Sequence, residues 1–217
     1  MVVTLDVEGV MQRITKPPTR EEFEARVKTF CTKVWLKKVM RAWDKCGEVH
    51  IKKREDKSAY RDHPRAATWI LIEEIGIRDP RLIILELLHD TGEEKEGIPF
   101  VYQDVEEEYK DFFLTCGHKA ITKLPGQLPQ DYTRQVFVGG IKVVIVKFGD
   151  RLHNVRTLSA CKPAKQDRII FDTWMYYFPY TDEYKHFLKG ASKKDIKTLD
   201  LLWELINTAI EELLAKR

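Results

Sequence analysis

A chain of 217 residues with 43% apolar side chains can bury a sizeable core, but it is a tight fit for two full domains and contains no low-complexity tract. Thirty-seven Lys and Arg stand against 34 Asp and Glu, and a formal charge of +3 is too small to argue for nucleic acid or a membrane surface as partner. Cys31, Cys46, Cys116 and Cys161 lie far apart with no Cys-x-x-Cys pair, no apolar run approaches the roughly 18 residues of a membrane span, and the first residues lack the pattern of an export signal, so free thiols and a cytoplasmic protein are expected.

Residues 1–18 read as an N-terminal arm closed by Pro17 and Pro18. Thr19 with Glu22 makes a capping box, and Phe23, Val27, Phe30, Val34, Val39 and Trp43 recur near helical spacing, which predicts one long helix over about 20–46 with Gly47 as its stop. The charged stretch 50–62 predicts a loop. Pro64 suits a first helical position, where its missing N–H would be unpaired anyway, and the helix it opens runs to Gly76. Asp79-Pro80 repeats the start signal for a helix carrying Leu82, Ile83, Leu85 and Leu88 and ending near Gly92.

After an acidic loop through Glu96, Asp104 to Cys116 predicts a helix stopped by Gly117, with a short one from His118. Ile141 to Phe148 is apolar enough for a buried strand, but helical spacing persists through Leu158, so a helix is preferred. Ala164 to Tyr177 predicts a helix ended by Pro179, and Ser192 with Asp195 caps a last amphipathic helix to Leu214. The resulting division is an arm at 1–18, an all-α domain at 19–190, and a C-terminal helix at 191–217 packed on the same domain.

Candidate chemistry sits at three places. On the helix around 150, Asp150, Asn154 and Thr157 fall on one stripe, with Leu152, Val155 and Ser159 opposite. An Asp beside so apolar a run needs its charge compensated, by a divalent cation or by Arg151 or Arg156. His89-Asp90 comes where Gly92 loosens a helix end, so both side chains can turn to one ion, and His63 precedes the Pro64 helix start. Two neutral imidazoles and two carboxylates balance a +2 charge and suit an octahedral ion such as manganese or iron(II), with positions left for water and a phosphate oxygen. A lone His-Asp pair proves little; the ordered set of three segments is what carries weight.

The segments Tyr60-Arg61-Asp62-His63-Pro64, Leu87-Leu88-His89-Asp90-Thr91 and Asp150-Arg151-Leu152-His153-Asn154-Val155-Arg156-Thr157-Leu158 resemble the hydrolase domain of the RelA/SpoT family over roughly residues 50–180. That domain is an all-helical HD-domain bundle with a single metal site, and it removes the 3′-pyrophosphate of (p)ppGpp. No length is left for the family's synthetase domain, so the likeness is to its small hydrolase-only members, the metazoan SpoT homologue among them.

By position, the resemblance implies His63, His89, Asp90 and Asp150 as ligands of one Mn2+, with Fe2+ or another divalent metal as alternatives. It implies Glu93 and Glu94 as the pair that positions and activates water, Lys53 and Arg54, with Lys52 beside them, as anion contacts, and Asn154 and Thr157 as nucleoside contacts. Arg151 reads as a partner in a structural ion pair, His153 as a packing residue, and His50, His118 and His186 carry no role. The chain departs from the family at Gly92, at Glu94 in place of Asp, at Lys57-Ser58-Ala59 before Tyr60, and at Gly149 in place of Ala.

The expected activity is manganese-dependent hydrolysis of (p)ppGpp to GDP or GTP plus pyrophosphate, on a small-molecule nucleotide and with no membrane or nucleic-acid partner. Two alternatives stand: an HD phosphohydrolase for another phosphorylated nucleotide (the NADPH 2′-phosphate, a pyrophosphorylated adenosine nucleotide, a modified nucleic-acid end), and a non-catalytic helical binding module.

Overall fold

A computed structural model describes residues 13–54, 57–95, 97–181 and 191–217. Residues 1–12 of the arm, Glu96 of the acidic loop and His186 therefore lie outside the described residues. Among the described residues there is no strand; one isolated antiparallel bridge joins Lys53 and Ala59. No described helix is long and apolar enough to cross a membrane.

The predicted 20–46 helix is two helices, α1 (Arg20–Lys28) and α2 (Lys33–Val49). The Thr19–Glu22 capping box forms, but Thr32 caps a second start by accepting from the Trp35 N–H, and Val34 beside it is exposed. A second cap thus overrides an apolar period that seemed continuous. Gly47 does not stop α2, which runs two residues further. Phe23 stacks on Trp43 at 4.4 Å between ring centres and fixes α1 on α2.

Helix α3 (Asp62–Glu73) starts two residues before Pro64, so His63 sits inside its first turn. That turn donates no i→i−4 bonds, so Pro64 is as acceptable at its third position as at its first. Helix α4 (Pro80–Leu88) starts as read, with the Asp79 carboxylate accepting from the Arg81 N–H. A short 3-10 turn, Thr91–Glu93, follows.

The predicted 104–116 helix divides into α5 (Tyr102–Tyr109) and α6 (Phe112–Ile121). Lys110 adopts a left-handed conformation (φ 50°) and Asp111 caps α6. Gly117 lies inside α6, where an added Cβ would come within 2.9 Å of Leu85 Cδ2. It is there for close packing of α6 on α4, and terminates nothing. Helix α7 (Pro129–Val138), with Pro129 in its first turn, has no counterpart among the predicted elements.

Helix α8 (Ile141–Arg156) settles the strand-or-helix question for 141–148. Residues Val143 to Asp150 are buried on every side because α3, α4, α6, α7 and α10 surround it. A helix hydrophobic all round has no amphipathic period, which is why the run resembled a strand. Ser159 lies beyond α8 in a 3-10 turn and is exposed, so it is not part of the packed face that Leu152 and Val155 supply.

Helix α9 (Pro163–Asp172) passes into a π-helical turn at Thr173–Tyr177 and stays helical through Thr181. Pro179 does not end it. The widened turn relieves the clash of the Pro ring with the preceding turn. Helix α10 (Lys193–Leu214), capped by Ser192, lays Leu199, Leu202, Ile206 and Ile210 into the core against α8. The described part of the arm is strapped down: Glu74 accepts from the Ile14 N–H and is held by two bonds from Arg156.

Candidate metal centre

Three local structures aim side chains at one point. A tight turn, in which the His63 N–H donates to the Tyr60 carbonyl at 3.0 Å, opens α3 and buries His63. The C-terminus of α4 places His89 as its cap, and the chain leaves the helix at Asp90. From α8, Asp150 reaches the same point.

His63 Nε2 lies 2.9 Å from Asp150 Oδ1, and His89 Nε2 lies 3.2 Å from Asp90 Oδ1 and 3.5 Å from Asp150 Oδ1. The ligand atoms of His63, His89 and Asp90 lie within 4.8 Å of one another, a cluster able to hold a divalent metal ion, and Asp150 joins it through the two imidazoles.

The tautomers follow from the partners. His89 Nδ1 is 2.7 Å from the Glu86 carbonyl, which can only accept, so Nδ1 carries the proton and the Nε2 lone pair faces the carboxylates; that buried Nε2 has no hydrogen-bond partner among the described residues. His153 Nε2 lies 3.2 Å from the Thr15 carbonyl and donates to it, which leaves its Nδ1 to accept at 2.7 Å from His63 Nδ1. His63 Nε2 is then a bare lone pair as well. Two lone pairs facing two carboxylates are mutually repulsive unless a cation stands among them, which is the donor set a divalent ion requires.

Electrostatics agree. Burial lowers His63 to about 4, keeping it neutral. Burial also opposes charge on His89, but Asp90 and Asp150 outweigh it and raise His89 well above its ordinary value. Opposite shifts on neighbouring rings mean that, with no ion present, the two carboxylates draw a proton onto His89 Nε2, and a divalent ion would displace that proton to meet the lone pair of the neutral ring. Burial works against ionisation of Asp150 too, but Lys147, His89 and His63 overcome it and hold its carboxyl well below the usual range.

Around this point the candidate residues sort into clefts. Lys52, Lys53, Arg54, Asn154, Lys147 and Asp150 line one of ≈ 370 Å³. Arg54 donates to Asn154 Oδ1 at 3.1 Å, and Asn154 donates to Asp150 Oδ1 at 2.6 Å. Thr157 lines a second cleft of ≈ 520 Å³, with Arg54 and His63 shared between the two. Its hydroxyl is also engaged with the His153 carbonyl at 3.0 Å.

Glu93 and Glu94 diverge. Glu93 faces a ≈ 170 Å³ chamber with Asp90, Lys123, Lys147 and Tyr132, accepts from the Lys123 N–H at 2.7 Å, and is raised to about 7 by burial and by Asp90. Glu94 turns the other way and is buried against His50 Nδ1 at 3.0 Å and Lys52 Nζ at 3.2 Å. Gly92 makes room: a Cβ there would meet Thr122 at 2.9 Å.

Several residues were missed in the sequence. Lys147 pairs with Asp150 Oδ2 at 2.7 Å, and a lysine inside the run Val143 to Phe148 was itself a signal that a buried acid lay near. Tyr60 donates to Asp90 Oδ2 at 2.8 Å. His153 does more than pack, because it sets the His63 tautomer. His50 holds Glu94. Arg151 lies over the Tyr177 ring at 4.4 Å, whereas Arg156 makes a buried ion pair with Glu74.

The fold and site define an all-helical protein with a buried His/Asp centre opening into cationic clefts. The chain is a homologue of RelA/SpoT-family proteins. It is 33% identical over 153 residues to a GTP pyrophosphokinase of Streptomyces coelicolor, covering 66% of this chain and 17% of that protein. It is 28% identical over 169 residues to the bifunctional (p)ppGpp synthase/hydrolase SpoT of Escherichia coli K12, covering 73% and 23%. The chain thus spans about a fifth of the length of these curated relatives. A solved structure described as a metazoan orthologue of SpoT that hydrolyzes ppGpp shares the fold, with a TM-score of 0.55 at 20% identity over 77% of this chain and 94% of that one. No family model matches the chain.

Proposed function

We propose that this chain is a metal-dependent phosphohydrolase that releases pyrophosphate from the 3′ position of (p)ppGpp. The observation that carries this reading is the pair of imidazoles, each fixed by an Nδ1 partner so that its Nε2 lone pair faces the Asp90 and Asp150 carboxylates. His63, His89, Asp90 and Asp150 would hold one divalent ion, Mn2+ in the first instance. Such an ion supplies Lewis-acid polarisation of a phosphate oxygen and makes water more acidic.

The chain's own groups do the rest. Lys147 and Asn154 orient Asp150, and Tyr60 orients Asp90. Glu93, with a carboxyl raised to about 7, is matched to taking a proton from water near neutral pH. The water oxygen bonds to the phosphorus attached to O3′, the P–O3′ bond breaks, and O3′ takes up a proton, giving GDP or GTP and pyrophosphate. Lys52, Lys53 and Arg54 offset the charge of the departing group, and Asn154 and Thr157 contact the nucleoside side. Glu94 acts here through Lys52, as the buried anchor of the basic loop.

The test couples metal analysis to turnover. The purified chain should bind one Mn2+ and convert ppGpp to GDP plus pyrophosphate, and Asp150→Asn should lose metal and turnover together. A metal-bearing protein that leaves ppGpp intact but cleaves the NADPH 2′-phosphate would reassign the substrate. A chain that binds no divalent ion and keeps its function as Asp150→Asn would be a binding module.

A further inference from the structure

Glu86 stands one turn before His89 on α4 and is wholly inaccessible to solvent, yet neither of its carboxyl oxygens has a hydrogen-bond partner among the described residues. A buried carboxyl without a donor is costly, and an apolar residue would serve a purely structural slot better. Two features surround it. On one side is Gly149 of α8, where an added Cβ would come within 3.2 Å of Glu86 Oε2 and 2.8 Å of Leu71 Cδ2. The missing methyl is what leaves the carboxyl its space. On the other side is His89, whose Nδ1 lies 3.7 Å from Glu86 Oε1 while donating to the Glu86 carbonyl at 2.7 Å. The nearby cation Lys147 is engaged by Asp150, and the His89 Nδ1–H lies beside the carboxyl.

We propose that Glu86 is a positioning residue for His89: its carboxyl oxygen, 3.7 Å from the Nδ1 that donates to the backbone carbonyl of the same residue, favours the proton on Nδ1 through space without a direct hydrogen bond, which commits the Nε2 lone pair to a divalent ion, and Gly149 is its size-matched partner. This rests on the reading of the His/Asp cluster as a metal centre. An oxygen lone pair is available in either protonation state of the carboxyl, so the role does not depend on its charge. Partners that fix the far nitrogen of a metal-binding imidazole set its orientation and basicity, and their loss weakens metal affinity on the order of 10–100-fold. The pairing also joins two positions far apart in sequence, Glu86 and Gly149, as one packing unit.

The experiment is titration of Mn2+ into metal-free protein, followed calorimetrically, together with the melting temperature of the same samples without metal. Glu86→Ala should bind Mn2+ about 10–100-fold more weakly, while its metal-free melting temperature stays level or rises, because an unpaired buried carboxyl has gone. Glu86→Gln keeps an acceptor oxygen and should retain affinity nearer to the unaltered protein. A merely structural glutamate would move the melting temperature and leave the affinity alone. Equal affinity of the unaltered protein and Glu86→Ala overturns the proposal, as does equal loss in the Ala and Gln variants. If the unaltered protein takes up no Mn2+, the metal-centre reading itself fails.

Discussion

Glu93 and Glu94 are neighbours in sequence, but one lines the chamber beside Asp90 and the other is locked between His50 and Lys52. In the proposed mechanism the proton-accepting role therefore falls to Glu93 and not to Glu94. Burial and the Asp90 charge raise its carboxyl from 4.5 to about 7, and only the ionised form can take a proton, so activity should fall as pH drops through its pKa. A divalent ion close by favours the carboxylate, which puts the acid limb of a kcat/KM profile between 4.5 and about 7. Glu93→Gln should abolish that limb and lower kcat on the order of 10²–10⁴-fold without loss of bound Mn2+; an undiminished rate would remove Glu93 from the mechanism. At this scale the histidines and aspartates were legible because their residue types and order are restrictive. The direction in which Glu94 turns was not, since it depends on His50, a residue with no motif of its own.

At the scale of elements, the caps read at Thr19, Asp79 and Ser192 are real starts, whereas α3 opens two residues before Pro64, His118 lies inside α6, α7 was not foreseen, and Gly47, Gly117 and Pro179 end nothing. Thr32 and Asp111 each cap a new helix within a few residues of the previous one, and an apolar period sampled over 20 residues does not register so short an interruption. Gly117 misled in the opposite way, because a glycine chosen for helix contact carries the same letter as one chosen for a turn. The α5–α6 joint yields a prediction. Lys110 is exposed and held at φ 50°, ψ 45°, a region in which a side chain is strained and glycine is not. Lys110→Gly should stabilise the chain by about 0.5–1 kcal/mol, net of the entropy glycine adds to the unfolded state. Asp111→Ala, which removes the acceptor for the Leu114 N–H, should cost about 1 kcal/mol. Urea unfolding of the pair distinguishes these opposite signs, and a destabilised Lys110→Gly would mean that the Lys side chain contributes more than its backbone strain costs.

For the whole molecule, the site depends on how α8 is enclosed. Its Asp150 and Lys147 are buried because α3, α4 and α10 close around it, and the low polarity this creates would strengthen the hold of the facing lone pairs and carboxylates on the proposed ion. Residues 191–217 are then not an appendage but one wall of that enclosure. Leu199, Leu202, Ile206 and Ile210 of α10 are wholly buried, and at about 1.5–3 kcal/mol each they contribute roughly 6–12 kcal/mol, comparable to the entire 5–15 kcal/mol stability of a typical domain. A chain ending at residue 190 should therefore show no cooperative melt and no tight Mn2+ binding, whereas Ile206→Ala, which leaves the wall in place, should cost about 2–5 kcal/mol and still melt cooperatively. If the shortened chain instead melts cooperatively and binds the ion with unchanged affinity, residues 19–190 are an autonomous domain and the dependence of the centre on α10 is wrong.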